Sequence, residues 1–311
     1  MEHRSLGNSG LRVSVAGLGC NNFGMRLDYE RTVAVLDAAI DLGITFFDTA
    51  RSYGGGKSEE FMGEALKGRR DGLLIATKFG SRSGDMAGPD EATGSRRNII
   101  RSVETSLRAL QTDYIDLYQL HFPDPTTPVE ETLVALDALV TQGKVRYIGC
   151  SNFTGWMVAD AHWIAKSRGI ERFVSVQNEW NLLSRGVEAD VKGACEHVGA
   201  SILPYFPLAS GLLTGKVKRG ETPAENTRLS SAYFASTMTE ANFDRLERLE
   251  QWAQDHDRTL TEVALSWLAS QPVVGSVIAG ATSPEQVRAN VAATRTDLSA
   301  EDVAAIGELM A

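Results

Sequence analysis

The stretch FFDTARSYGGGKSEE, Phe46 to Glu60, decides how the chain is read. An apolar run ends in Asp48, a glycine cluster follows, and Lys57 and Ser58 open a segment of helical pattern. This is the setting of a phosphate-cradling loop. Such a loop also needs a glycine five residues before the Gly-Lys-Ser triplet, so that backbone N–H groups can close around the anion. Arg51 stands there instead, and the phosphate-loop pattern fails. Asp48 and Tyr53 therefore require another explanation, which comes from the elements around them.

Short β-branched or aromatic runs alternate with amphipathic stretches along the chain. The runs are SVAGLG from Ser14, TFFDTA from Thr45, GLLIATKFG from Gly72 and IDLYQLH from Ile115, then VRYIGCSN from Val145, FVSVQNEW from Phe173, SILPYFP from Ser201 and GSVIAG from Gly275. Between them lie helical patterns such as ERTVAVLDAAIDLG, RRNIIRSVETSLRALQ and VEETLVALDALVTQG. Near-continuous apolar strands, each followed by a helix, suit a closed parallel sheet buried on both faces. The expected fold is an α/β (β/α)8 TIM barrel occupying residues 1–311 as one domain. A small N-terminal β-hairpin in RSLGNSGLRVS, turned at Asn8-Ser9-Gly10, precedes it. A doubly wound sheet would carry a G-x-G-x-x-G turn after an early strand, and GLGCNNFG has the wrong glycine spacing. Two connections are long: SRSGDMAGPDEATGSR after the third strand, and Ser210 to Ala241 after the seventh. Both are expected to be functional or mobile.

With 31 Lys and Arg against 40 Asp and Glu, the formal charge is -9, and no basic cluster offsets it. Nucleic acid and anionic membranes are thereby disfavoured as partners, and a small molecule is expected. MEHRSLGNSG lacks the apolar centre of a signal peptide, and no apolar run approaches membrane-spanning length, so a soluble cytoplasmic protein is expected. Cys20, Cys150 and Cys195 form no C-x-x-C pair, and His3, His121, His162, His197 and His256 are scattered; reduced thiols and no metal site are expected.

Barrel chemistry gathers at the C-terminal ends of strands, where Asp48, Lys78 and His121 fall and Tyr53 lies just beyond. Singly, each of these residues has an ordinary reading as a cap, a rim residue or a satisfied core group. Together they suit acid catalysis at a carbonyl. A phenol, of ordinary pKa about 10, is a reluctant acid at neutral pH, and an ammonium beside it lowers that value. Lys78 is the candidate ammonium, Asp48 its counter-ion, and a neutral His121 a second donor to the same oxygen.

These four residues, set in FFDTARSYGGG, IATKFG and YQLHFPDP, closely resemble the catalytic tetrad of the aldo-keto reductases, bacterial-type members included. The resemblance extends through GKVRYIGCSNF, VQNEWNLL and YFPLASGLLTGK. It implies reduction of aldehydes or ketones by hydride transfer from a nicotinamide cofactor, with Tyr53 as general acid. Ser151, Asn152 and Gln177 match the family's donors to the carboxamide, and Tyr205 the aromatic that stacks on the nicotinamide. Leu208, Ser210, Gly211, Leu213 and Lys216 resemble the belt over the pyrophosphate. Gly280, Thr282, Gln286 and Asn290 resemble the adenosine end, where TSPEQ also reads as a simple capped helix.

The pattern departs from the family in three places. Well-known NADPH-dependent members often carry Lys at the position of Gly280 and Arg at that of Gln286, to hold the 2'-phosphate. Arg228 or Arg288 is expected to supply the charge here, with NADP(H) the preferred cofactor and NAD(H) open. Arg51 is unusual before Tyr53: pointing inward it would favour an anionic substrate, pointing outward it is a solvated charge. The ending SAEDVAAIGELMA lacks the long closing loop of some relatives, so an open mouth accepting small aldehydes, dicarbonyls or sugars is expected. Asn21, Asn22 and Phe23, Phe122 with Pro123, Trp156 and Trp180 are the candidate pocket wall. Two other functions fit less well. A cofactor-binding regulatory subunit, resembling potassium-channel β subunits, would keep the tetrad but turn over slowly. A hydrolase using Asp48 and Glu179 would leave Lys78 unexplained.

Overall fold

The computed structural model describes residues 1–81, 92–225 and 227–311. Strands β1 (His3–Ser5) and β2 (Arg12–Ser14) form an antiparallel hairpin. Eight parallel strands follow: β3 (Ala16–Gly19), β4 (Phe46–Asp48), β5 (Leu74–Phe79), β6 (Ile115–Leu120), β7 (Val145–Ser151), β8 (Ser175–Glu179), β9 (Ser201–Tyr205) and β10 (Val277–Gly280). Their order is β10-β3-β4-β5-β6-β7-β8-β9. At the seam Ile202 N–H donates to Val273 O at 2.8 Å and Gly275 N–H to Ile202 O at 3.0 Å, which draws the edges into a (β/α)8 TIM barrel.

Around it stand α1 (Tyr29–Asp41), α2 (Lys57–Ala65), α3 (Arg96–Ala109), α4 (Val129–Thr141), α5 (Gly155–Arg168) and α6 (Val191–Val198). The ring continues with the short α7 (Ala232–Ala235), α8 (Glu240–Asp255), α9 (Leu260–Ala269), α10 (Pro284–Ala293) and α11 (Ala300–Leu309). Several starts are capped by short polar side chains: Asp28 accepts from Arg31 N–H, and Thr259 forms a reciprocal capping box with Glu262. Most of the loop after β5, residues 82–91, lies outside the described residues. The long connection after β9 is anchored by Arg219, which pairs with Glu240, Asp244 and Glu247 of α8.

Two apolar clusters divide the core. Phe47, Ile75, Tyr118, Ile148 and Val176 face outward and pack against helix residues such as Val35, Ile99 and Leu136. Phe46, Ala76, Leu117, Leu203 and Ile278, from five different strands, meet in the lumen with Leu6, Leu11 and Val13 of the hairpin. The hairpin therefore plugs the N-terminal end of the barrel. Two residues further along, the inward positions turn polar: Phe46 gives way to Asp48, Ala76 to Lys78, Leu117 to Gln119 and Leu203 to Tyr205. The lower half is thus a dry core and the upper half a polar mouth.

The hairpin turn takes its left-handed residue at Gly7 (φ 57°), not within the expected Asn8-Ser9-Gly10. A Cβ at Gly7 would stand 2.5 Å from Val174 O and 2.7 Å from Gly199 O. Gly7→Ala is expected to destabilise the protein by about 1–3 kcal/mol through backbone strain and this clash, seen as a lower urea midpoint with an unchanged slope.

Candidate active site

The run Tyr53–Gly56 forms one tight turn in which Gly54, Gly55 and Gly56 have φ of 59°, 66° and 99°. A side chain at Gly54 would meet Phe23 O at 2.7 Å. The glycine cluster thus folds the chain sharply into α2 and holds Tyr53 over the end of β4.

Below it the polar layer closes on one carboxylate. Lys78 Nζ donates to Asp48 Oδ2 at 2.6 Å, to Thr49 O at 2.9 Å and to Tyr53 Oη at 3.1 Å. An ammonium has three N–H donors, and all three are engaged. Because Tyr53 Oη accepts from Lys78, its own hydrogen is not used in that bond. Asp48 Oδ1 accepts from Gln177 Nε2 at 2.9 Å and Gln119 Nε2 at 3.2 Å. Strand β8 is not a neighbour of β4, so the Gln177 bond crosses the lumen. His121 lies beside this group, edge-on to Tyr53 at 6.1 Å between ring centroids and stacked on Phe122 at 4.8 Å.

Burial dominates the electrostatics. Tyr53 is partly exposed as a residue, but its hydroxyl sits deep on the Lys78 ammonium. Desolvation raises its pKa, and Lys78 offsets only part of that. Lys78 lowers the value as expected, but the net direction is corrected: burial outweighs it and the phenol is held protonated, as a proton donor requires. Burial likewise works against the Lys78 charge, yet Asp48 and Tyr53 outweigh it and the net shift is upward. Burial, then Lys78, pushes His121 down to about 3, so its imidazole is neutral.

A second network leads outward. Tyr205 Oη donates to Asn152 Oδ1 at 2.9 Å; Asn152 Nδ2 donates to Ser151 Oγ at 3.1 Å and His121 O at 2.8 Å; Ser151 Oγ donates to Gln177 O at 2.6 Å. Ser151, Asn152, Gln177 and Tyr205 are thus one connected group. Beyond them Ala209, Ser210 and Gly211 have φ of 47°, 59° and 109°, and the space where Gly211 would carry a side chain is empty to 4 Å. Strained non-glycine backbone beside open space suits close approach of a ligand. Leu208 packs partly on the core, Leu213 is buried, and Lys216 is exposed.

At the far end Thr282 donates through its N–H and its Oγ1 to Gln286 Oε1, at 2.8 Å and 3.1 Å, while Ser283 caps α10 and Asn290 donates to Gly280 O at 3.4 Å. Arg288 pairs with Glu285 on its own helix and is mostly exposed. Arg228 reaches over the Phe206 ring, donates to Asn21 Oδ1 at 2.7 Å, and lies 3.6 Å from where a Gly280 side chain would begin. It pairs with no carboxylate among the described residues, and burial, then Arg26, pushes it down to about 10.

The expected pocket wall is only partly assembled. Asn21 lies at the mouth, and Asn22 is a strut from the loop after β3 to Ala281 O. Phe23 is fully buried in the outer core. Trp180 is also buried, edge-on to Trp267 at 5.7 Å and donating to Glu188 Oε1 at 3.1 Å. Both are removed from the wall: Phe23 packs into the outer core and Trp180 against Trp267 of α9. Trp156 is exposed on α5. Arg51 folds against Gly56, its Nη1 occupying the space where a side chain there would begin. Gln119 was not among the expected site residues, although it stands two residues before His121 on the same strand face. Among the described residues no group of three or more His, Cys, Asp or Glu could hold a metal ion, and no helix is long and apolar enough to cross a membrane.

The profile of the Aldo/keto reductase family matches residues 16–311. The chain belongs to this family of oxidoreductases. It is 36% identical to the uncharacterized oxidoreductase YrpG of Bacillus subtilis (strain 168), over 97% of this chain and 93% of that protein. It is 35% identical to the L-glyceraldehyde 3-phosphate reductase of Escherichia coli O157:H7, over 100% of this chain and 93% of that one. A probable voltage-gated potassium channel subunit beta of Oryza sativa subsp. japonica is 34% identical, over 94% of this chain and 91% of its own length.

The His121 shift carries a stability consequence. Between about 3 and the unfolded value of about 6.5 the unfolded chain binds a proton that the folded chain refuses, so this residue makes stability rise with pH across that window. The slope is about 1.4 kcal/mol per unit at most. His121→Gln, which cannot titrate, is expected to show a flatter fall in urea midpoint from about pH 6 to about pH 4.

Proposed function

We propose that this member of the aldo/keto reductase family reduces small aldehydes or ketones to alcohols, with NADPH as the preferred reductant and NADH as the alternative. The observation that carries the reading is the orientation of Tyr53, whose hydroxyl accepts from Lys78 and is left with its own hydrogen free to give to a carbonyl oxygen. Neutral His121 donates a second hydrogen bond to that oxygen and orients the substrate. Lys78, charged and paired with Asp48, stabilises the phenolate that remains, and a positioned acid of this kind contributes ~10²- to 10⁴-fold.

The polar layer fits a nicotinamide cofactor. Ser151, Asn152 and Gln177 offer the donors and acceptors that a carboxamide needs, and Tyr205 offers a ring face beside them. Ser210 and Gly211 would border the phosphates, Thr282, Gln286 and Asn290 would receive the adenosine, and Arg228 would supply the positive charge absent at Gly280 and Gln286. When bound, the cofactor supplies the hydride that reduces the carbonyl carbon. A wall reduced to Asn21, Asn22, Phe122 and the rim around them supports acceptance of small carbonyl compounds.

A second reading, a regulatory subunit of slow turnover, is favoured by the likeness to the probable channel subunit of Oryza sativa. Turnover separates the two. Purified protein is expected to consume NADPH with aldehydes or dicarbonyls at a steady rate, and tight cofactor binding without consumption on any of them would favour the regulatory reading. Tyr53→Phe is expected to lower kcat by ~10²-fold or more while cofactor affinity, followed by fluorescence, stays within about twofold. Retained turnover in a folded Tyr53→Phe protein would remove Tyr53 from the acid role.

A further inference from the structure

Gln119 is a wholly buried amide whose presence packing does not explain. Its Nε2 donates to Asp48 Oδ1 at 3.2 Å, while its Oε1 is buried with no hydrogen-bond partner among the described residues. A leucine or methionine would fill the same space without stranding a carbonyl oxygen, and an unsatisfied buried acceptor is a real penalty. What the amide alone provides is a donor to Asp48.

That donor has a geometric effect. Gln119 approaches Asp48 Oδ1 from β6 and Gln177 from β8, so the two amides grip one oxygen from different walls of the lumen. With Oδ1 held, the plane of the carboxylate is fixed and Oδ2 is aimed at Lys78 Nζ, 2.6 Å away. The same two bonds draw negative charge toward Oδ1, away from the ammonium and the phenol it serves. We propose that Gln119 is a positioning residue that acts on Tyr53 through Asp48 and Lys78, orienting the carboxylate and tempering its charge so that Tyr53 gives up its proton more readily. The inference rests on Tyr53 as the acid.

The titratable groups that face Tyr53 are Lys78 on β5, Asp48 on β4, His121 after β6, Cys20 after β3 and Arg228 from the loop after β9. None is altered when Gln119 is changed, so a shift in Tyr53 reports on Gln119. Gln119→Met keeps the volume and removes the donor. Gln119→Glu keeps a donor only while protonated and adds a second negative charge beside Asp48 once ionised.

The test is an ultraviolet titration of tyrosinate, each protein subtracted against its own Tyr53→Phe counterpart to isolate Tyr53, together with kcat for an aldehyde. In Gln119→Met, Tyr53 is expected to titrate at higher pH, the alkaline limb of the pH–rate profile to move up with it, and kcat to fall about tenfold. Cofactor affinity is expected to stay within about twofold. In Gln119→Glu, activity is expected near that of the unaltered protein at acid pH and to fall as pH rises, a reversal that loss of packing would not produce. An unmoved Tyr53 titration in a folded Gln119→Met protein, whatever its thermal stability, would reduce Gln119 to a filler and overturn the proposal. Should Gln119→Met not fold, a Tyr53 titration and kcat left unchanged by Gln119→Leu would overturn it equally. If the unaltered protein consumes no cofactor with any carbonyl but the titration still moves, the coupling stands and the reductase reading fails.

Discussion

The upper half of the barrel depends on the Lys78 ammonium. A charge this deep is tolerated only if its donors are all used and a counter-ion stands close, and deleting one member of such a pair costs about 3–5 kcal/mol. Asp48, Thr49 and Tyr53 meet that requirement from a single short segment that runs beside the end of β5. The need to satisfy the ammonium therefore holds the end of β4, the turn beyond it and Tyr53 in one arrangement. The glycine turn that follows allows the chain to leave that arrangement without a clash.

The lower half answers a different constraint. A polar layer at one end of a barrel leaves the other end to supply the stability, and the lumen there is filled by Phe46, Ala76, Leu117, Leu203 and Ile278 above the leucines of the hairpin. Gly17 in β3 contributes by omission: a Cβ there would stand 2.6 Å from Ser276 Oγ and 3.2 Å from the Phe46 ring. Phe46 fills the space, and two residues later its strand carries Asp48. Packing and chemistry thus share the inward face of one strand and are separated only by two residues along it.

Much of this was legible in the sequence, for physical reasons that differ by element. The eight barrel strands stood out because apolar β-branched runs bounded by glycine and polar turns have few other uses, and Asp48, Lys78 and His121 stood out because they end such runs. Gln119 did not. Strands buried on both faces lose the alternation that tells inside from outside, so IDLYQLH gives no sign that its glutamine faces a carboxylate from β4. Phe23 and Trp180 were misjudged for a related reason: an aromatic just after a strand can turn into the mouth or under a loop, and the Glu188 carboxylate that takes the Trp180 N–H lies eight residues away on a turn that no local pattern predicts. The Tyr53 shift was misjudged because proximity to Lys78 can be read from strand ends, whereas depth of burial belongs to the assembled barrel.

That misjudgement bears on how Tyr53 would work as the proposed acid. A phenol whose pKa were lowered strongly by Lys78 would be partly ionised near neutrality and would lose its proton before a substrate arrived. Burial works against this and keeps the proton on Tyr53, while the ammonium and its tempered counter-ion become most useful after the proton has left, when a phenolate must be held in a poorly solvated place. On the proposed reading of Tyr53 as the acid, the same buried setting would protect the proton before transfer and strengthen the stabilisation of the phenolate afterwards. A layer built from Asp48, Lys78, Gln119 and Gln177, with every ammonium hydrogen committed, can perform both tasks without moving.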